Sequence, residues 1–194
     1  KNIKKNKCRT QMSDFPRMNI LLTETALEDL PKRVSKTKAA HKLIEKYGNI
    51  AKILDTALHH SLMRNLKDHY KRGRPDILHH FLLDSLNSPA NLHGNLGIYF
   101  SCYNSNSFYI VDPRMKCPRD YNRFKGLMVA LLEHNHIPKQ KPYLINKSDS
   151  SLSSLLQGKN LIQFTTEGTP INFSDLKEIL KKDLHTPSDE KNNC

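Results

Sequence analysis

Apolar positions along the chain recur at two periods, and each predicts a type of element. Ile77, Leu78, Phe81, Leu82, Leu83 and Leu86 fall at helical spacing and predict an amphipathic helix over about 76–86. Its boundaries are chemically marked. Pro75 suits a first helical position and holds Arg74 extended, and Asp76 falls where the helix dipole favours a carboxylate. Asn87-Ser88-Pro89 ends it. Phe124, Leu127, Met128, Leu131 and Leu132 predict a second helix, Tyr121 to Glu133. Asp55 and Thr56 are caps for a third that reaches about Tyr70, with Leu58, Leu62, Met63 and Leu66 inward. Phe173 to Lys182 is a fourth, capped by Asn172 or Ser174, and a short one lies near Leu152 to Leu156.

Strand-like runs interleave with these. Met18 to Thr23 is a short buried strand, and Leu96 to Tyr103 with Phe108 to Val111 forms a hairpin around Asn104-Ser105-Asn106-Ser107. Asn160 to Thr166 is a further strand candidate, followed by a turn at Glu167-Gly168. Glu24 to Leu30 reads as a helical turn interrupted by Pro31, Lys32 to Lys46 as one helix, and Asn146 to Ser154 as a polar, serine-rich loop. The mixture predicts an α/β domain over 18–182, between a basic tail (1–17) and a polar tail (183–194).

Charge adds a partner. A formal net charge of +12 over 194 residues, with a pI near 9.6, points to a polyanion. Cations gather in two places. Arg64, Lys67 and Lys71 lead into Arg72 and Arg74, and a later stretch carries Arg114, Lys116, Arg119, Arg123 and Lys125 with Tyr121 and Phe124 interleaved. Charge for phosphate mixed with rings for unpaired bases suits RNA. The cations of Lys32 to Lys46 read as a solvated face, with direct RNA contact as the alternative.

Other chemistries find little support. No apolar run approaches the roughly 18 residues of a membrane span. Cys8, Cys102, Cys117 and Cys194 show no CxxC pair and read as reduced intracellular thiols. With 7 glycines there is no glycine-rich phosphate cradle, and no Ser/His/Asp nucleophile motif is present. The adjacent pairs His59-His60 and His79-His80 point apart around a helix, and His134-x-His136 is a weak metal pattern at a helix end; no metal is expected.

Two stretches carry a family resemblance: RGRPDI with its leucine-rich helix and LNSP, then PRMKCPRDYNRFKGLM from Pro113 to Met128. In this order they resemble the pseudouridine-N1 methyltransferases of small-subunit ribosomal RNA, the Nep/Emg type of the SPOUT, or alpha/beta-knot, class. The likeness covers roughly residues 18 to 180. It implies a SPOUT-like sheet flanked by helices with a β-hairpin extension. It further implies S-adenosylmethionine-dependent N1-methylation of a pseudouridine in small-subunit rRNA, in ribosome biogenesis and rRNA processing. The partners implied are that rRNA, a pre-ribosomal particle and a second copy of the chain. The location implied is cytoplasmic in a prokaryote or archaeon and nucleolar in a eukaryote.

By the same resemblance Arg74 and Asp76 are the catalytic candidates, and Arg72, Arg74, Lys116, Arg119 and Arg123 the RNA-binding ones. Lys116 stands where the family has arginine, so the planar fork is lost there. Thr165, Thr166 and Gly168 resemble the first of three cofactor loops, whereas the glycine-rich second loop and the third have no counterpart. The expectation is an incomplete C-terminal knot, from an incomplete chain or a divergent member, and weak S-adenosylmethionine binding. The alternative function is a non-catalytic rRNA-binding assembly factor. A basic nucleic-acid module without this ancestry explains the charge but not the paired motifs.

Overall fold

The computed structural model describes residues 18–103, 105 and 107–184, and the chain divides into two compact units, 1–152 and 153–194. Cys8, Cys194, both predicted tails up to residue 17 and from 185, and Asn104 and Asn106 of the predicted turn lie outside the described residues.

In the first unit β1 (Met18–Thr25) and β2 (Leu96–Cys102) run parallel, with Ile20 opposite Ile98 and Leu22 opposite Phe100. A parallel pair needs a long crossover. Here it contains α1 (Lys32–Ser35), α2 (Lys38–Tyr47), α3 (Thr56–Met63), α4 (Pro75–Asn87) and α5 (Pro89–Leu92). The remaining strands, β3 (Ser107–Val111), β4 (His136–Ile137) and β5 (Ile145–Ser151), pair antiparallel, and α6 (Tyr121–His134) joins β3 to β4. The sheet order is β1-β2-β3-β5-β4. Leu78, Leu82 and Leu86 of α4 and Phe124, Met128 and Leu131 of α6 pack with Ile98, Phe100, Val111 and Ile145 of the sheet in one buried cluster. Each such side chain contributes about 1.5–3 kcal/mol by leaving water. A second cluster, Leu30, Val34, Ala40, Leu54 and Met63, ties α1, α2 and α3 together.

The hairpin and the helices at 75–87 and 121–134 agree with the sequence to within a residue or so. Elsewhere long-range pairing overrides local pattern. Glu24 to Leu30 is not helical: β1 continues to Thr25 through an irregularity with Glu24 at φ 49, and Asp29 bridges Ile53. Leu30 N donates to Lys52 O and Leu54 N to Glu28 O, so these backbone groups are engaged across the chain. Lys32 to Lys46 is two helices, because Thr37 Oγ1 accepts from Ala40 N and opens a new one. The Asp55-capped helix stops at Met63, and the chain continues through Asp68 in the left-handed region (φ 52) to a 3₁₀ turn at His69–Lys71. Ile77, expected inward, is 47% exposed. Asn146 to Ser151 is strand, not loop, because β3 and β4 flank it and supply the ladder.

In the second unit, 161–165 forms no strand, since a strand without a paired neighbour has no ladder. A turn follows at 166–168, as expected. α7 (Leu152–Leu156) starts at the boundary between the units. The last helix, α8 (Phe173–Leu184), is capped by Asn172, whose Oδ1 accepts from Asp175 N at 2.9 Å.

Candidate functional site

The two signature stretches meet at the N-terminal ends of α4 and α6. His79, in the first turns of α4, lies 2.7 Å by Nε2 from the carbonyl of Pro118. A carbonyl only accepts, so Nε2 carries the proton. The imidazole also stacks on Phe124 at 4.5 Å and lies 5.6 Å from the Tyr121 ring. One buried histidine therefore fixes the loop before α6 against α4.

At the mouth of α4, Arg74 has the extended-side φ of −124° that precedes a proline, and its side chain is 54% exposed. Its Nε donates to Asp76 Oδ1 at 2.9 Å and its Nη2 to Oδ2 at 2.8 Å. This bidentate pair holds the Asp76 carboxyl below the usual carboxylate range and orients the guanidinium, and among the described residues Nη1 makes no hydrogen bond. Arg74 and Asp76 both act electrostatically on Tyr121. Arg119 and Arg123, exposed on either side of Asp120 and Tyr121, thus stand at the same end of the first unit as Arg74. Lys116 is exposed in the loop before them.

Other cations of these stretches are engaged by carboxylates of the same chain. Arg72 is 15% exposed, with Nε donating to Glu28 Oε1 at 2.7 Å and Nη2 to Oε2, so it struts the loop and is not a free phosphate contact. Arg114 is engaged by Asp112 through Nε at 2.9 Å. Lys125, grouped above with the surface cations, is buried: its Nζ donates to Asp55 Oδ2 at 2.8 Å, with side-chain exposures of 4% and 5%. The Tyr121 hydroxyl donates to the same oxygen at 3.1 Å, while Asp55 Oδ1 caps α3 through Ala57 N at 2.9 Å. Burial first, and then the Asp55 charge, push the Tyr121 phenol up, so it stays protonated and able to donate. This lock of Asp55, Lys125 and Tyr121 escaped the sequence analysis. A signal was present: Lys125 occupies the apolar stripe of α6 beside Phe124 and Met128, where a lysine needs a buried partner.

The cofactor candidates lie in the second unit. Thr165, Thr166 and Gly168 are all exposed; Thr165 Oγ1 accepts from Glu167 N at 3.0 Å and Thr165 O from Gly168 N at 3.3 Å. A self-contained exposed turn encloses nothing, so these residues do not fit a nucleoside cofactor by themselves. Among the described residues there is no group of three or more potential metal ligands. No described helix is long and apolar enough to cross a membrane.

Comparison with known proteins gives this geometry a lineage. The EMG1/NEP1 methyltransferase family matches residues 20–188. A relative from Staphylothermus marinus, named "Ribosomal RNA small subunit methyltransferase Nep1", is 42% identical over 147 residues, covering 74% of this chain and 63% of the relative. The protein of that name from Methanothrix thermoacetophila is 32% identical over 163 residues, covering 81% and 72%. The crystal structure of Archaeoglobus fulgidus Nep1 bound to S-adenosylhomocysteine superposes with a TM-score of 0.72 at 31% identity, covering 83% of this chain and 73% of that one. The match thus spans less than two thirds of the length of the Staphylothermus relative. Agreement in fold, in the paired signature stretches and across residues 20–188 places the chain in the EMG1/NEP1 methyltransferase family.

Proposed function

We propose that the chain serves N1-methylation of a pseudouridine in small-subunit ribosomal RNA, with S-adenosylmethionine as methyl donor and a role in small-subunit assembly. The names of its relatives and the product-bound Archaeoglobus structure support the reaction class. One observation carries the assignment to residues: His79 joins the two signature stretches, so that Arg74, Arg119 and Arg123 stand at one end of the first unit. Arg119 and Arg123 contact phosphate, and Lys116 adds charge without a fork. Arg74, held by Asp76, presents its remaining N–H groups to the target base. The N1–H of pseudouridine is weakly acidic, and a fixed cation stabilises the negative charge that develops on the ring as that proton passes to solvent water. Asp76 is a positioning partner here, because the Arg74 fork occupies its oxygens. Arg72 has no part in RNA contact under this assignment, being neutralised by Glu28.

A second reading, a non-catalytic rRNA-binding assembly factor, is favoured by the exposed, unenclosed turn at Thr165 to Gly168. Mass analysis of small-subunit rRNA fragments incubated with the chain and S-adenosylmethionine separates them. Gain of one methyl group at a pseudouridine is expected. Tight, selective RNA binding with no methyl gain would select the assembly factor instead.

A further inference from the structure

The outward face of α1 and α2 concentrates exposed cations. Between Pro31 and Leu54 the only acidic residue is Glu45, while Lys32, Arg33, Lys36, Lys38, Lys42 and Lys46 are all exposed. None of these six makes an ion pair among the described residues. Lys38, Lys42 and Lys46 are spaced four apart on one helix, so they form a single stripe with about 6 Å of axial rise between neighbours. Like charges at this spacing repel and destabilise the helix. A face that is merely solvated has both signs interspersed; this one carries repulsion that a polyanion would relieve.

The other side of α2 is already occupied. Ala40 is fully buried, in the cluster with Val34, Leu54 and Met63. A lipid surface would therefore find charge but no apolar face to insert, whereas a phosphate backbone needs charge alone. The same cluster reaches the mouth of α4. Met63 packs so close under Gly73 that a Cβ there would lie 2.7 Å from its Cε, and Gly73 O accepts from Thr56 N at 2.8 Å. Gly73 is bonded directly to Arg74. The lysine helix and the arginine mouth are thus two faces built on one small core.

We propose that the Lys38–Lys42–Lys46 stripe, with Lys32, Arg33 and Lys36, is a second RNA-binding surface that holds the phosphate backbone of the duplex flanking the target site. The proposal rests on the RNA-binding part of the function proposed above. It assigns these residues a sequence-independent, strongly salt-dependent share of affinity.

The test is fluorescence anisotropy of the full chain with a small-subunit rRNA hairpin, with and without its flanking duplex, over a salt series. Lys38→Ala/Lys42→Ala/Lys46→Ala should reduce the slope of log affinity against log salt by about 2 to 3 units and affinity at 100 mM salt by roughly tenfold or more. The triple Lys→Arg variant should retain binding, and the deficit should shrink on the bare hairpin. Removing i,i+4 repulsion should leave thermal stability equal or higher, which excludes misfolding as the cause. Lys139→Ala/Lys141→Ala/Lys147→Ala removes the same charge elsewhere; an equal loss there would overturn the proposal in favour of generic charge. Binding that falls with Arg119→Ala but not with the lysine triple would overturn this inference alone. A wild-type chain that binds neither RNA would overturn it together with the function it rests on. Lysine-dependent binding to phosphatidylserine vesicles, with unchanged RNA affinity, would reassign the face to lipid.

Discussion

Lys125 is buried inside α6 against Asp55, 70 positions away in sequence, and Asp55 in turn holds the Tyr121 hydroxyl. Removing one member of such a pair leaves the other buried and uncompensated. Lys125→Met is therefore expected to cost about 3–5 kcal/mol, read by denaturant unfolding. Replacing both, Asp55→Asn with Lys125→Met, should recover a substantial part of that loss, since an amide can still cap α3 and accept from Tyr121. The Arg74–Asp76 pair behaves differently because it is exposed. Asp76 has its carboxyl pKa lowered from 3.8, chiefly by the Arg74 hydrogen bonds, so its contribution is present above that value and is lost as pH falls through the lowered one. Asp76→Asn should thus lower the melting temperature slightly at neutral pH, and the difference should vanish in strong acid; a difference that grew on acidification would contradict the pairing. Burial pushes the Cys117 thiol up to about 11 and the Cys102 thiol to about 12. Peptide mapping after iodoacetamide treatment at pH 8 should find both largely unmodified in the native chain.

At the scale of elements, α4 is aimed by its entry loop. Gly73 has φ +68 and sits against Met63 and Thr56 side chains, so both its left-handed backbone and its missing Cβ are used. Gly73→Ala is expected to destabilise by more than about 1 kcal/mol and to weaken RNA binding by displacing Arg74. A melting curve and an anisotropy titration would check the two effects separately. His79 does the matching task for the loop before α6. His79→Phe keeps the ring stacking on Phe124 but leaves the Pro118 carbonyl only the weak Cys117 Sγ–H donor at 3.8 Å, so it should loosen Arg119 more than it disturbs the core.

Over the whole molecule, packing is concentrated in the first unit. Every buried residue among those described lies before position 146, and none lies in 153–181. Hydrogen exchange should therefore find the amides of β2 and β3 the slowest, and those of 161–172 exchanging orders of magnitude faster. Slow exchange in the latter would show cover from a partner or ligand. The net charge of +12 gives RNA association long-range steering, which should fade as salt shortens the screening length.

What the amino-acid order determined by itself is local or compositional. The helix from Pro75 is legible because proline, a first-turn carboxylate and a leucine stripe act within a few residues of one another. The hairpin and the caps at Asp55 and Asn172 are of the same kind, and the charge needs no fold at all. Tertiary structure alone decided the rest. Ile145 to Ser151 became a strand because β3 and β4 present open ladders on both sides, against its own serine-rich composition. Asn160 to Thr166 failed to become one because no neighbour pairs with it, despite its β-rich composition. Arg72 and Lys125 looked like RNA contacts and are internal, since a cation's role is set by whether a carboxylate such as Glu28 or Asp55 faces it, and sequence separation hides such pairs. Arg74 and Arg119 came to the same end of the first unit for the same reason: the His79 bond to Pro118 links elements that the linear pattern cannot relate.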